Sequence, residues 1–205
     1  SRKNLATWFA DMLLRKQQLE EWTQALVLPY SIWLPGLINP TSLLTAVKQV
    51  TARKNGLPLD NMSLDTYVTR MTRPQDAISN AVYPEDGVFV HGLMMEGARW
   101  TDEEESVDNM YVVSNTQCAG NIVESHLKQL LDYMPLIYVK AVEVQSDWSP
   151  ESVGYLRGDP NLYECPVYTT SSRGPTFVFL ATLNSLDPTS KWVLAGVALL
   201  MQSDD

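Results

Sequence analysis

The chain has 205 residues, 45% of them apolar, with 15 Lys and Arg against 24 Asp and Glu for a formal net charge of −9. That length holds one large domain, or a domain with a helical appendage, and enough apolar residues for a well-packed core. The acidity repels nucleic acid phosphates and anionic lipid, so neither is an expected partner.

The longest apolar run, Trp192–Met201, reaches about half of the roughly 20 residues that a membrane span needs, and no basic-then-apolar leader opens the sequence. A soluble, intracellular protein is expected. The sequence starts Ser1-Arg2-Lys3 and enters a helical pattern at once, which suggests a segment of a longer polypeptide.

In sequence order, Leu5, Trp8, Phe9, Met12, Leu13, Leu19 and Trp22 recur at helical spacing, with Asp11, Arg15, Lys16, Gln18 and Glu21 on the other faces. One amphipathic helix over Asn4–Leu26 is predicted. Its apolar face either packs on the core or, through Trp8, Phe9 and Met12, docks on a neighbouring domain. Pro29–Gly36 is an extended crossing segment, because each proline pushes its predecessor out of the helical region. Asn39-Pro40 then supplies an N-cap and a pre-set first helical residue, and Leu43, Leu44, Val47 and Val50 form the stripe of a second helix. Arg53 and Lys54 suit its last turn, and Gly56 stops it, which places the helix over Pro40–Asn55.

From Leu64 the period changes. Asp65–Thr72 alternates as a half-buried strand, and the turn formers of Arg73–Tyr83 end it. Pro84–Trp100, PEDGVFVHGLMMEGARW, reads as a strand, a sharp bend and a second strand, with turn chemistry at Asp86-Gly87 and a break at Gly92. Thr101–Asn121 is a long acidic loop, followed by a short helix over Ile122–Leu131. Strands are predicted at Pro135–Val144, Leu162–Thr169, Thr176–Leu183 and Trp192–Met201. The last is apolar on both faces of its alternation and so belongs at the centre of a sheet.

The residues of chemical interest are few. No GxxxxGK[ST], GxGxxG, HExxH or GxSxG pattern occurs, which removes the usual support for nucleotide binding or hydrolysis. The two histidines are His91 and His126, and a metal or acid–base pairing with Glu96 or Glu124 needs the fold to gather them. A structural histidine is the simpler reading. Asp102–Glu105 lacks the alternating ligand spacing of a calcium loop. Cys118 and Cys165 lie far apart, form no metal or disulfide pattern, and read as free thiols. Trp8, Trp22, Trp33, Trp100 and Trp192 fall where elements need anchors, whereas Trp148 has no clear core address. No catalytic, cofactor-binding or metal-ligating residue is therefore assigned.

Four stretches carry a family resemblance. They are Asp86–Trp100, DGVFVHGLMMEGARW; Ile32–Leu37 with Leu44-Thr45-Ala46 and Ala52-Arg53-Lys54; Tyr163–Tyr168, YECPVY; and Gly196–Gln202, GVALLMQ. Together, and in the family's order, they resemble the C-terminal domain of dynein heavy chains, axonemal ones most closely, with Met94 standing where the family carries an aromatic. The resemblance implies a location on the cytoskeleton, in the axoneme of a cilium or flagellum. It also implies a non-catalytic module that lies on the AAA+ motor ring of its own polypeptide and influences the ATPase cycle, force or processivity. Other dynein subunits are further candidate partners, and the acidic surface of tubulin is not.

The expected fold is α+β, with a helical subdomain over 1–60 and an antiparallel β-barrel of about six strands over 61–205. A rival from another class is a free-standing barrel holding a small molecule, its cavity lined by Tyr67, Phe89, Tyr138, Phe177 or Phe179.

Overall fold

The structure, a computed structural model, describes residues 4–25, 29–79, 84, 86–101, 120–124, 131–144 and 162–201. Helix α1 spans Leu5–Ala25 and leads through strand β1, Ser31–Trp33, and a 3-10 turn at Leu34–Gly36 into α2, Pro40–Asn55. The ends of α2 are chemically marked as expected. The Asn39 side chain accepts from the Ser42 amide at 3.2 Å, and Gly56 takes a left-handed φ of 67° while Leu57 N–H donates to Ala52 O at 2.9 Å. Leu43, Leu44 and Val47 are buried against the sheets.

After α2 come β2, Met62–Val68; α3, Pro74–Ser79; β3, Gly87–His91; β4, Met94–Glu96; β5, Ala98–Thr101; and β6, Asn121–Glu124. The remaining elements are β7, Leu131–Tyr133; β8, Ile137–Glu143; β9, Leu162–Tyr168; β10, Phe177–Asn184; α4, Thr189–Ala195; and β11, Ala198–Leu200. The strands form a four-stranded sheet ordered β1-β3-β8-β2, a five-stranded sheet ordered β10-β9-β11-β4-β7, and the pair β5-β6.

This overturns the expected α+β fold with an antiparallel barrel of about six strands. Among the described residues there are eleven strands in three open sheets with four α-helices, and β1–β3 and β9–β11 pair in parallel. The glycines of the PEDGVFVHGLMMEGARW run are the physical reason. Gly92 at φ 88° and Gly97 at φ 86° break it into β3, β4 and β5, and each piece pairs in a different sheet. Where the two larger sheets approach at β2 and β10, the link is a side chain. Thr182 N–H donates to Thr66 Oγ1 at 2.6 Å in place of a backbone ladder.

Other departures are local. Trp192–Met201 is not one strand: Trp192–Ala195 completes α4, Gly196 ends it at φ 67°, and only Ala198–Leu200 pairs in a sheet. A run apolar on every face fits a short helix or a strand equally, and the left-handed glycine decides. The short helix expected over Ile122–Leu131 gives way to β6 and β7 at its two ends. Asp76 builds a helical turn at Pro74–Ser79 where only turns were expected, accepting the Arg73 amide at 2.9 Å and the Thr72 amide at 3.1 Å. Those bonds, the Arg73 amide first, hold its carboxyl below the usual range.

One core cluster joins α2 to all three sheets. A smaller one packs Met71, Ala77, Phe89, Leu136 and Tyr138, with the Phe89 and Tyr138 rings 5.0 Å apart. Of the cavity lining proposed for a ligand-holding barrel, Phe89 and Tyr138 thus fill a core, and Phe177 is exposed. That rival falls with the barrel.

Candidate docking surface

The four stretches singled out in the sequence meet one another, and their contacts are structural. Lys54 Nζ sits 2.9 Å from Asp86 Oδ1, which ties the end of α2 to the turn before β3. Asp86 holds a φ of 57°, and its carbonyl accepts Ala141 N–H at 2.9 Å. Gly87 has no room for a Cβ, which would run into the Val139 carbonyl. At the other end of β3, a Cβ on Gly92 would lie 2.6 Å from Trp33 Cδ1 and 2.8 Å from Pro35 Cδ, so this glycine lets the crossing segment lie against the strand. Tyr163 donates its hydroxyl to Val197 O at 2.8 Å, and burial raises its pKa. Cys165 is wholly buried beside it, and burial pushes its thiol up, away from the reactive thiolate.

The titratable residues do not converge. His91 is largely buried at the end of β3, its Nδ1 without a hydrogen-bond partner among the described residues, and burial lowers its pKa to about 4. Glu96 is ion-paired with Arg173, and Glu124 lies 3.0 Å from Lys191 Nζ. Among the described residues no three His, Cys, Asp or Glu side groups gather as a metal site. His126, Cys118, Trp148 and the acidic run Asp102–Glu105 lie outside the described residues.

What the fold does present is an unburied helix. Leu5 is 77% exposed, Trp8 48%, Phe9 56% and Met12 47%, and Leu13, Leu14 and Leu19 are exposed as well. Trp8 is therefore no core anchor, whereas Trp100 and Trp192 are buried and Trp22 packs against the main cluster. Leu5, Trp8, Phe9, Met12 and Leu19 fall within about 100° on a helical wheel, a stripe as wide as those that normally face a core. Next to the end of α1 lies an apolar groove of about 350 Å³ lined by Trp22, Leu37, Leu43, Ala46, Val47 and Val50, with Asn39 and Ser42 supplying its polar groups. A second exposed apolar pair, Val193 and Leu194, lies on α4.

The side of α1 that touches the body carries different chemistry. Between residues 4 and 24 only Asp11, Arg15, Gln18 and Trp22 are partly buried, and three of these four are polar. Trp33 N–H donates to Gln18 Oε1 at 2.7 Å, and Gln18 Nε2 donates back to Trp33 O at 3.0 Å. Arg15 donates to Pro35 O, pairs with Asp11 at 2.9 Å and lies 5.5 Å from the Trp33 ring centroid. In the sequence Asp11, Arg15 and Gln18 read as lying off the apolar face, and Trp22 as part of it. The signal that marks them is their own spacing of i, i+4, i+7 and i+11, which places all four on one face.

The described residues form a small mixed α/β domain that leaves the apolar face of its first helix exposed. Residues 1–201 match the C-terminal domain of dynein heavy chains, and the protein belongs to that family. It is similar to dynein axonemal heavy chain 11 of Sus scrofa, 41% identical over 203 residues, and to dynein axonemal heavy chain 17 of Homo sapiens, 43% identical over 202. The dynein alpha chain of the flagellar outer arm of Chlamydomonas reinhardtii is 41% identical over 204 residues. These matches cover 98–99% of this sequence and about 4% of each relative's own length. The resemblance read from the four stretches is thus borne out. The axonemal, ciliary and flagellar relatives agree with a cytoskeletal, axonemal location.

Proposed function

We propose that this domain is a non-catalytic module that packs on the AAA+ motor ring of its own polypeptide and modulates ATPase cycling, force or processivity in microtubule-based movement. The observation that carries the reading is the exposed stripe of α1. Leu5, Trp8, Phe9 and Met12 keep about half or more of their surface in water, so each forgoes part of the roughly 1.5–3 kcal/mol that full burial of such a side chain contributes. The occupant is argued from length. The sequence spans about 4% of the relatives it matches, so the nearest partner at high effective concentration is the remainder of the same polypeptide. Residues 1–60 then supply the ring contacts, and the sheets supply the platform that holds them.

Modulation requires contacts that differ between ring states. The test is a full-length motor with Trp8→Ser and Met12→Ser together. Exposed substitutions of this kind leave the domain's own stability within about 0.5 kcal/mol. Velocity, run length or microtubule-stimulated ATPase is expected to change by twofold or more. Wild-type values for all three would remove the proposal.

A further inference from the structure

The apolar stripe is useful only if α1 is held at a fixed angle, and the fold holds it in an unusual way. Among the described residues β1 pairs in parallel with β3, on one side only. A strand residue's N–H and C=O point to the same side, so Trp33 aims both of these groups away from β3. Both are answered by the single amide of Gln18, which accepts at 2.7 Å and donates at 3.0 Å. A primary amide has the donor and acceptor of a peptide group in one plane. Gln18 thus occupies the place that a neighbouring strand's backbone would take.

We infer that Gln18, backed by Arg15, is a positioning residue: its amide completes the free edge of β1 and so sets the angle at which α1 presents its apolar stripe. The docking role of the stripe rests on the reading above; the clasp itself does not.

Three features support this assignment. The body-facing stripe of α1 is mostly polar, so hydrogen bonds to a fixed backbone set the helix's position more than hydrophobic area does. The Arg15 guanidinium reaches the Pro35 carbonyl beyond the Trp33 ring and supplies a second point of attachment, which prevents rotation about the first. Gly36 leaves room for the clasp, since a Cβ there would lie 2.6 Å from Gln18 Nε2 and 2.5 Å from Trp33 Cε3. The chemistry also excludes near relatives of Gln18. Glutamate keeps the acceptor, loses the donor and sets a negative charge against the Trp33 carbonyl. Leucine keeps the bulk and loses both bonds.

The experiment uses the full-length motor that contains this domain, with Gln18→Leu, Gln18→Glu and, as a control on an exposed neighbouring position, Gln17→Leu. Hydrogen exchange is read at the Trp33 amide and across β2 and β8. In Gln18→Leu the Trp33 amide is expected to exchange at least tenfold faster, and in Gln18→Glu, which keeps that amide's acceptor and loses only the bond to the Trp33 carbonyl, by a smaller factor, while β2 and β8 stay within twofold of wild type, as they do in Gln17→Leu. Unchanged Trp33 exchange in Gln18→Leu overturns the clasp. Protection lost equally from β2 and β8 overturns it too, because Gln18 then supports the body and not the arm. Motor ATPase and velocity, measured on the same proteins, separate the two proposals. Faster Trp33 exchange with wild-type motor rates upholds the clasp and counts against docking of the stripe. Altered motor rates with unchanged Trp33 exchange overturn the clasp alone.

Discussion

His91 shows how one residue's environment becomes a property of the domain. Its ring is desolvated at the end of β3, Nδ1 has no partner among the described residues, and its pKa falls to about 4 from an ordinary 6.5. A base whose folded pKa is depressed binds its proton more readily in the unfolded state, so stability falls as pH drops between those two values. From pH 7.5 to 5 the loss comes to about 2 kcal/mol. Urea unfolding of the 205-residue domain at those two pH values should show it, and His91→Gln should flatten the slope. A wild-type slope in the variant would place the titration elsewhere. The Cys165 thiol and the Tyr163 hydroxyl are raised by the same desolvation and stay neutral through this window.

At the scale of elements, the breaks between strands matter as much as the strands. Gly92 lets the backbone leave β3 and enter β4 in another sheet, at a φ of 88° and against Trp33 and Pro35. Gly92→Ala meets both the left-handed backbone penalty and the close approach of the crossing segment. It should cost about 2–4 kcal/mol, read as a lowered urea midpoint with an unchanged slope. An equal change at Gly56, which is also left-handed but has open space around it, should cost only about 1–2 kcal/mol. Similar losses at the two sites would mean that the packing against Trp33 contributes nothing. Helix α2 is the contrasting case, since its cap, stripe and stop are all local and its span was legible residue by residue.

The whole molecule depends on how its sheets are joined. The link between β2 and β10 is the Thr66 hydroxyl accepting the Thr182 amide, and Thr66 is almost fully buried. Thr66→Val keeps the shape and leaves the Thr182 N–H without its acceptor, at a cost of about 1–3 kcal/mol in chemical denaturation. Hydrogen exchange should localise the loss to Thr182 and its neighbours on β10. A variant as stable as wild type would show that the two sheets need no such link.

The amino-acid sequence by itself determined what is local or periodic. It set both long helices, the capped ends of α2, the strands β8, β9 and β10 to within a residue or two, and the four stretches that identify the family. These follow from apolar spacing and turn chemistry within a few residues. The tertiary structure alone decided that the strands form open sheets, because pairing depends on which distant edges meet, and three consecutive strands divided by two glycines can join three sheets. It also decided which face of α1 is used. Periodicity shows that a helix has an apolar side, but only the position of Trp33 and Pro35 shows that the mostly polar side faces inward and the apolar side stays exposed.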